Sequence, residues 1–240
     1  MKSLKLIPLA ISTLFVGAIC SCNADDSKKS GSDSTTTTKP VDSPVVAAKP
    51  SNMLVVMHKV KDYAKWLPVF ESDDSSQKAD GLNRKIIGRG MDDSSMVLIG
   101  FQMADYEKAK AKAGSPALKD KMTKGGVISA PTFTYVNTLI MDTTTNDMND
   151  RVIVMHKVKD YDAWKKVYDG DKQRRMDAGI VDRALGTAMD DPHMVVLVFC
   201  IKDMAKGKAF MESKELKDKM TEGGVEGKPI SFMYHVTQRY

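Results

Sequence analysis

From residue 53 onward, short β-branched runs alternate with stretches whose apolar residues recur at helical spacing. In the second half, residues 152–158 read as a strand. Lys159-Asp160 ends it, and Asp160 stands where a helix cap is needed. Tyr161, Trp164, Val167 and Tyr168 then share one helical face, and Gly179 closes that helix as Gly81 does in the first half. A strand over about 181–189, a turn at Asp190-Asp191-Pro192 and a strand over about 194–201 follow. Two helical pieces carry Ala205, Ala209 and Phe210, then Leu216 and Met220, and end at Gly223-Gly224. A last strand after Pro229 carries Ile230, Phe232, Tyr234 and Val236. The order is β-α-β-β-α-β.

The same unit is written twice. Sliding the chain by about 98 residues aligns it with itself without a gap, and about 34 of roughly 83 aligned positions are identical. Met57-His58-Lys59-Val60-Lys61-Asp62-Tyr63 returns as Met155-His156-Lys157-Val158-Lys159-Asp160-Tyr161, and Trp66 returns as Trp164. Residues 53–141 form repeat 1, the Thr- and Asn-rich 142–150 a linker, and 151–240 repeat 2.

A β-α-β-β-α-β unit folds as a four-stranded antiparallel sheet with both helices on one face. The other face would be bare. Yet Met96-Val97-Leu98-Ile99 and Met194-Val195-Val196-Leu197-Val198-Phe199 are apolar on both faces, where a half-solvated sheet would alternate. The tethered sister unit is the natural cover, so the two sheets are expected to pack face to face as an internal pseudo-dimer. A single chain that already holds both halves is expected to be a monomer.

The first 22 residues change the picture of where the protein works. Lys2 and Lys5 precede an apolar stretch from Leu6 to Ile19, too short for a comfortable membrane span. The stretch ends in Ile19-Cys20-Ser21-Cys22, which resembles a bacterial lipobox, with Cys22 as the lipidated residue and Cys20 the second choice. Residues 23–52, rich in Ser, Thr, Lys, Asp and Pro, read as a disordered tether with a reach on the order of 30 Å. Asn23-Ala24-Asp25-Asp26 resembles the acidic export signal of surface lipoproteins. A cell-envelope protein held on the outer membrane by its N-terminal lipid is expected, on the periplasmic or the outer face.

Composition narrows the function classes. A net charge of +5 over 240 residues, without a concentrated basic stripe, argues against a nucleic-acid partner. Of three cysteines, only Cys200 remains if Cys20 leaves with the signal and Cys22 is acylated, so no internal disulfide is possible. Cys200 sits in an apolar run and reads as a buried small hydrophobe. No phosphate loop, nucleophile elbow or two-His metal motif appears, and no cofactor or metal is called for.

The run strand–His-x-Val-x-Asp-Tyr-x-x-Trp, the later Asp-Asp turn, Ser-x-x-Leu-Lys-Asp-Lys-Met, Gly-Gly-Val and Pro together resemble the dimeric α+β barrel superfamily. The nearest branch is its antibiotic-biosynthesis-monooxygenase-like and cyclase-like small proteins. The resemblance spans about 53–141 and 151–240. It implies an α+β fold in which two ferredoxin-like units form an intramolecular dimeric α/β barrel, with pockets between each sheet and its own helices. It does not imply one reaction, since this fold hosts cofactor-free oxygenases, haem-degrading enzymes, isomerases and binding proteins. The Asn, Trp and His set of the haem-degrading members is not reproduced: His58 and His156 stand on the first strand, and the second helix has no His.

His58 and His156 are the leading candidates, each in an apolar strand row. Such a His is either a pocket base or ligand contact, or a core residue hydrogen-bonded within the protein. Tyr63, Trp66, Tyr161 and Trp164, on the inner helix face, would line the same pockets and complete the ligand-binding set; as core residues they would only pack. No catalytic residue is identified. The expected function is binding of a small apolar or aromatic ligand by a membrane-anchored lipoprotein, with a cofactor-independent monooxygenase-like enzyme as the alternative.

Overall fold

Eight antiparallel strands close into one barrel, with paired helices on its outside. The computed structural model describes residues 51–240. Cys22, the leader 1–22 and nearly all of the 23–52 tether lie outside the described residues. Repeat 1 runs β1 (Met53–Lys59), α1 (Tyr63–Glu71), α2 (Asp74–Ala79), β2 (Leu82–Gly90), β3 (Met96–Met103), α3 (Tyr106–Ala113), α4 (Pro116–Lys124) and β4 (Thr132–Met141). Repeat 2 runs β5 (Asp150–Val158), α5 (Tyr161–Gly170), α6 (Lys172–Asp177), β6 (Ile180–Ala188), β7 (Met194–Ile201), α7 (Met204–Glu212), α8 (Lys214–Glu222) and β8 (Val225–Arg239). No described helix is long and apolar enough to cross a membrane.

The turn into each helix is set by a short polar side chain. Asp62, Asp105, Asp160 and Asp203 each accept the amide three residues on, and Ser115 and Ser213 do the same ahead of α4 and α8. These caps recur at matched positions, so both repeats enter their helices at the same points.

The barrel order is β1-β3-β2-β8-β5-β7-β6-β4. Each repeat contributes four neighbouring strands. The seams are β2 with β8 and β4 with β6. The expected face-to-face packing therefore takes the form of a closed barrel, in which the two sheets also join along their edges. Closure removes every open sheet edge. A glycine stands at the tight point of each seam. A Cβ on Gly88 would lie 2.2 Å from the Tyr234 ring, and one on Gly186 would lie 2.5 Å from the Asn137 carbonyl oxygen.

The strand pleat sorts apolar residues into three cores. Leu54, Val56 and Val60 of repeat 1 face α1–α4 with Trp66. Val152, Val158 and Trp164 do the same in repeat 2. The opposite faces, with Met53, Val55, Leu98, Ile153, Val196 and Tyr234, fill the barrel interior. This is why the central strands are apolar on both sides.

Two boundaries differ from the sequence reading. The helix expected to run from Tyr161 to Gly179 breaks at Asp171, and its counterpart breaks at Ser72-Asp73. An arginine takes the carbonyls freed by the break: Arg84 Nη2 donates to the Phe70 and Glu71 oxygens at 2.8 and 3.1 Å, and Arg175 Nη1 to that of Tyr168 at 2.6 Å. Strand β8 starts at Val225, before Pro229, because a register shift opposite Met155 and Lys157 lets residues 225–226 pair with β5.

Light scattering on residues 51–240 should show a monomer. Residues 150–240 alone would expose the free edges of β6 and β8 and the interior face, and should self-associate. A monomeric fragment would mean that closure is not what covers that face.

Candidate ligand cavities between helix and sheet

The pleat puts Leu54, Val56 and His58 in one row facing the helices, and Val152, Val154 and His156 in the matching row. Asp62 and Asp160 start the next helix at once, which brings Trp66 and Trp164, one turn in, above the imidazoles. The His58 and Trp66 rings meet edge to face at 5.7 Å and 67°, and His156 and Trp164 at 5.6 Å and 61°. Trp66 stacks on Phe70 and Trp164 on Tyr168, both at 5.0 Å. Gly125 and Gly223 close over the indoles, where a Cβ would lie 3.2 Å from each Trp Cδ1.

Beside each His–Trp pair is a cavity, about 70 Å³ in repeat 1 and about 100 Å³ in repeat 2. Cavity 1 is walled by His58, Trp66, Phe70, Phe101, Met122 and Phe133. Cavity 2 is walled by His156, Trp164, Tyr168, Phe199, Phe210 and Met220.

Both imidazoles are nearly sealed, 3% and 5% exposed, and neither nitrogen of either ring has a hydrogen-bond partner among the described residues. The structure thus departs from the core-residue reading, in which the His would be satisfied inside the protein. Burial depresses each pKa from 6.5 to about 4, so both rings are neutral at pH 7. A neutral imidazole offers one donor and one acceptor. It can donate to one polar group of a ligand or accept from one.

Tyr63 and Tyr161, expected among the ligand contacts, stand outside both linings. Each is the first residue of its helix, where the chain is still crossing the end of the sheet. Tyr63 packs on Trp66 and its hydroxyl shares a hydrogen bond with Thr237 Oγ1 at 2.9 Å across the β2–β8 seam. The site omitted by the sequence reading is the far end of each cavity. There a guanidinium covers the second aromatic ring: Arg175, itself in the lining, lies over Tyr168 at 3.8 Å, and Arg84, behind the lining, over Phe70 at 4.5 Å. The two arginines are not matched positions. Arg84 Nε donates to Gln77 Oε1 at 2.6 Å, whereas Arg175 donates twice to the Asp182 carboxylate at 2.9 Å. Gln77 aligns with Arg175 and Arg84 with Asp182, so the arginine has changed strand for helix while its charge kept its place.

Other candidates resolve simply. Asp93 closes the β2–β3 turn on the Ser95 hydroxyl and amide, and those bonds, with Lys59, hold its carboxyl at about 2. Cys200 is free and buried in the interior row of β7. Also inside the barrel, Arg151 Nε and Nη2 and Thr138 Oγ1 are buried without partners. Nothing in the spacing of the sequence marks them.

The chain matches no family model, and no curated protein matches it significantly. Solved structures do. A provisionally named monooxygenase from Fusobacterium nucleatum aligns with TM-score 0.52 at 16% identity, covering 79% of this chain and 93% of its own. An anthrone oxidase-like protein aligns with TM-score 0.52 at 13% identity, covering 80% and 93%. A provisionally named chlorite dismutase aligns with TM-score 0.54 at 12% identity, covering 78% and 95%. The chain has the dimeric α+β barrel fold. In this barrel the two halves are one polypeptide. At such identities the likeness is one of architecture. Haem does not fit either cavity as it stands: at about 70 and 100 Å³ each is smaller than the roughly 150 Å³ that takes one benzene, and both imidazole nitrogens are sealed.

The buried imidazoles give a signed expectation. Between pH 6.5 and about 4 the unfolded chain binds more protons than the folded barrel, so stability falls as pH drops through that window. The slope approaches about 1.4 kcal/mol per pH unit for each His. His58→Leu and His156→Leu each remove an unpaired polar group, and should raise stability at pH 7 by about 1–3 kcal/mol and flatten the acid slope. Thermal melts across pH measure both effects; a large loss of stability in both variants would show that the imidazoles are satisfied core residues.

Proposed function

We propose that this chain is a lipid-anchored cell-envelope protein that holds a small apolar or aromatic molecule in each of two cavities. The observation that carries this reading is the neutral imidazole left without a partner beside a tryptophan in both cavities. A buried polar group without a partner destabilises the fold. Keeping two of them at matched positions is understandable if each meets a polar atom of a ligand whose body contacts the aromatic walls. The cavities are smaller than the benzene-sized space above, so either the ligand is a short-chain molecule or α4 and α8 move outward to admit a single ring. Native mass spectrometry of the protein taken from its own envelope should show a co-purifying small molecule. The His58→Leu, His156→Leu double variant should lose it while melting higher; a molecule retained by that variant would move the site elsewhere.

Anchoring rests on the leader and the Ser21-Cys22 junction. The lipid on Cys22 and the tether would hold the barrel at the outer membrane, on its periplasmic or outer face. Cys22→Ala should release the protein from the membrane fraction and Cys20→Ala should not; the reverse pattern would move the lipid to Cys20.

A second reading, a cofactor-independent monooxygenase-like enzyme, draws on the same imidazoles. Two barrels of the same fold carry the names monooxygenase and anthrone oxidase-like. An imidazole held near pKa 4 is a weak base, so in this reading it orients the acidic hydroxyl of a phenol or anthrone by a hydrogen bond. Oxygen uptake with an anthrone, lost in the double His variant, would favour this reading over binding alone.

A further inference from the structure

The two cavities agree at their His–Trp end and part at their mouths. His58, Trp66, Leu118, Met122 and Gly125 recur as His156, Trp164, Leu216, Met220 and Gly223. Lys112 and Ala113 at the first mouth are Phe210 and Met211 at the second. We propose that cavity 1 takes a small amphipathic acid, an apolar or aromatic body bearing one carboxylate-type anion, while cavity 2 takes a neutral molecule of similar size. This builds on the reading of the cavities as ligand sites.

The exchange at the mouth is concerted. The Lys112 side chain is only 11% exposed, and its ammonium binds Asp80 and the Ser76 hydroxyl. Asp80 aligns with Ala178, and Ala178, Phe210 and Met211 all pack against the core of repeat 2. An ion pair in one copy is thus an apolar contact in the other. Lys121 lines cavity 1 and binds Asp73, which Lys112 also approaches at 3.9 Å. Its counterpart Lys219 turns to Glu222 of its own helix at 2.7 Å. Lys112, Lys121, Asp73 and Leu118 belong both to cavity 1 and to a polar groove of about 330 Å³ outside it. With Lys108 and Asp80 on the same groove, three ammonium groups face two carboxylates. One further carboxylate would balance them, with its apolar body directed inward toward Trp66. Cavity 2 is also lined by two cations, Arg175 and Lys219, but there each cation has a carboxylate of its own: Arg175 has Asp182, Arg174 has Asp171 and Lys219 has Glu222. Where Lys112 and Ala113 line cavity 1, Phe210 and Met211 line cavity 2, and the Arg174 guanidinium that lies 5.6 Å over the Phe210 ring is already held by Asp171.

The chain has two tryptophans, one in each cavity, so each reports on its own site. The probes are 4-nitrobenzoate and 4-nitrobenzamide, which have nearly the same shape, differ by one charge, and quench indole fluorescence on contact. Trp164→Phe leaves Trp66 to read cavity 1, and Trp66→Phe leaves Trp164 to read cavity 2. Trp66 should be quenched at about tenfold lower concentration by the benzoate than by the benzamide, and Trp164 in the opposite order. Lys112→Phe should abolish the preference at Trp66, and Phe210→Lys should shift Trp164 toward the benzoate. The same preference at both sites, or one at Trp66 that survives Lys112→Phe, overturns the proposal and leaves the cavities as ligand sites. Absence of quenching by either probe at both sites overturns this proposal, and the co-purification experiment above then decides the ligand-site reading by itself. Should a Trp→Phe chain fail to fold, two-site calorimetry on the unsubstituted chain and on Lys112→Phe reads the same preference.

Discussion

Covering the second face of a sheet that is apolar on both sides is the constraint on which the rest of this molecule depends. Each repeat buries one face of its four strands under its own helices and leaves the other unsolved. Burial is worth about 25 cal/mol for each Å² of apolar surface removed from water, so a bare face of Leu98, Val196 and Ile153 would forfeit much of the stability of either half. Two copies curl around one interior and share it. The hydrogen-bonded seams β2–β8 and β4–β6 complete the ladder, and each seam has a glycine where no side chain would fit.

Closure of the barrel makes the helix–sheet layers rigid platforms. The interior core holds the strands from within, and the helices have only to pack on the outer rows. Against that background the unpaired imidazoles of β1 and β5 are costly, and the strands that bear them cannot rotate them to water without breaking the ladder. The arginines at the far end of each cavity show the opposite treatment. Their charge is answered by the Asp74 carboxylate at 3.7 Å, Gln77 and backbone oxygens in one repeat, and by Asp182 and a backbone oxygen in the other. A buried cation on an aromatic ring has been kept in place while the residues supplying it were exchanged, which marks the position as structural.

Duplication also frees the two sites from each other. A symmetric dimer of single units must have two identical pockets, because one gene encodes both. In a fused pair each mouth can change alone, and here it has: an ion-paired lysine faces one cavity and a phenylalanine the other. The His–Trp end, bound to the strand-to-helix turn that both copies need, has stayed the same.

Much of this was legible in the sequence because it is local or periodic. The repeat, the order of strands and helices along the chain, the Asp160 cap and the glycine stops depend on the chain's own local pattern, and the two-faced apolar strands announced a covered second face. The placement of His58 beside Trp66 followed too, since one strand and the next helical turn bring them together. What only the tertiary structure decided depends on residues far apart in sequence. Edge joining at the seams, the exit of Tyr63 and Tyr161 from the cavities, and the break of the helices at Ser72-Asp73 and Asp171 all arise from partners on other elements: Thr237 for Tyr63, Arg84 for the first break. Whether an imidazole in an apolar row has a partner is likewise a question of three-dimensional reach. The spacing of β1 and β5 placed the rings; only the packed barrel showed that no described residue answers them.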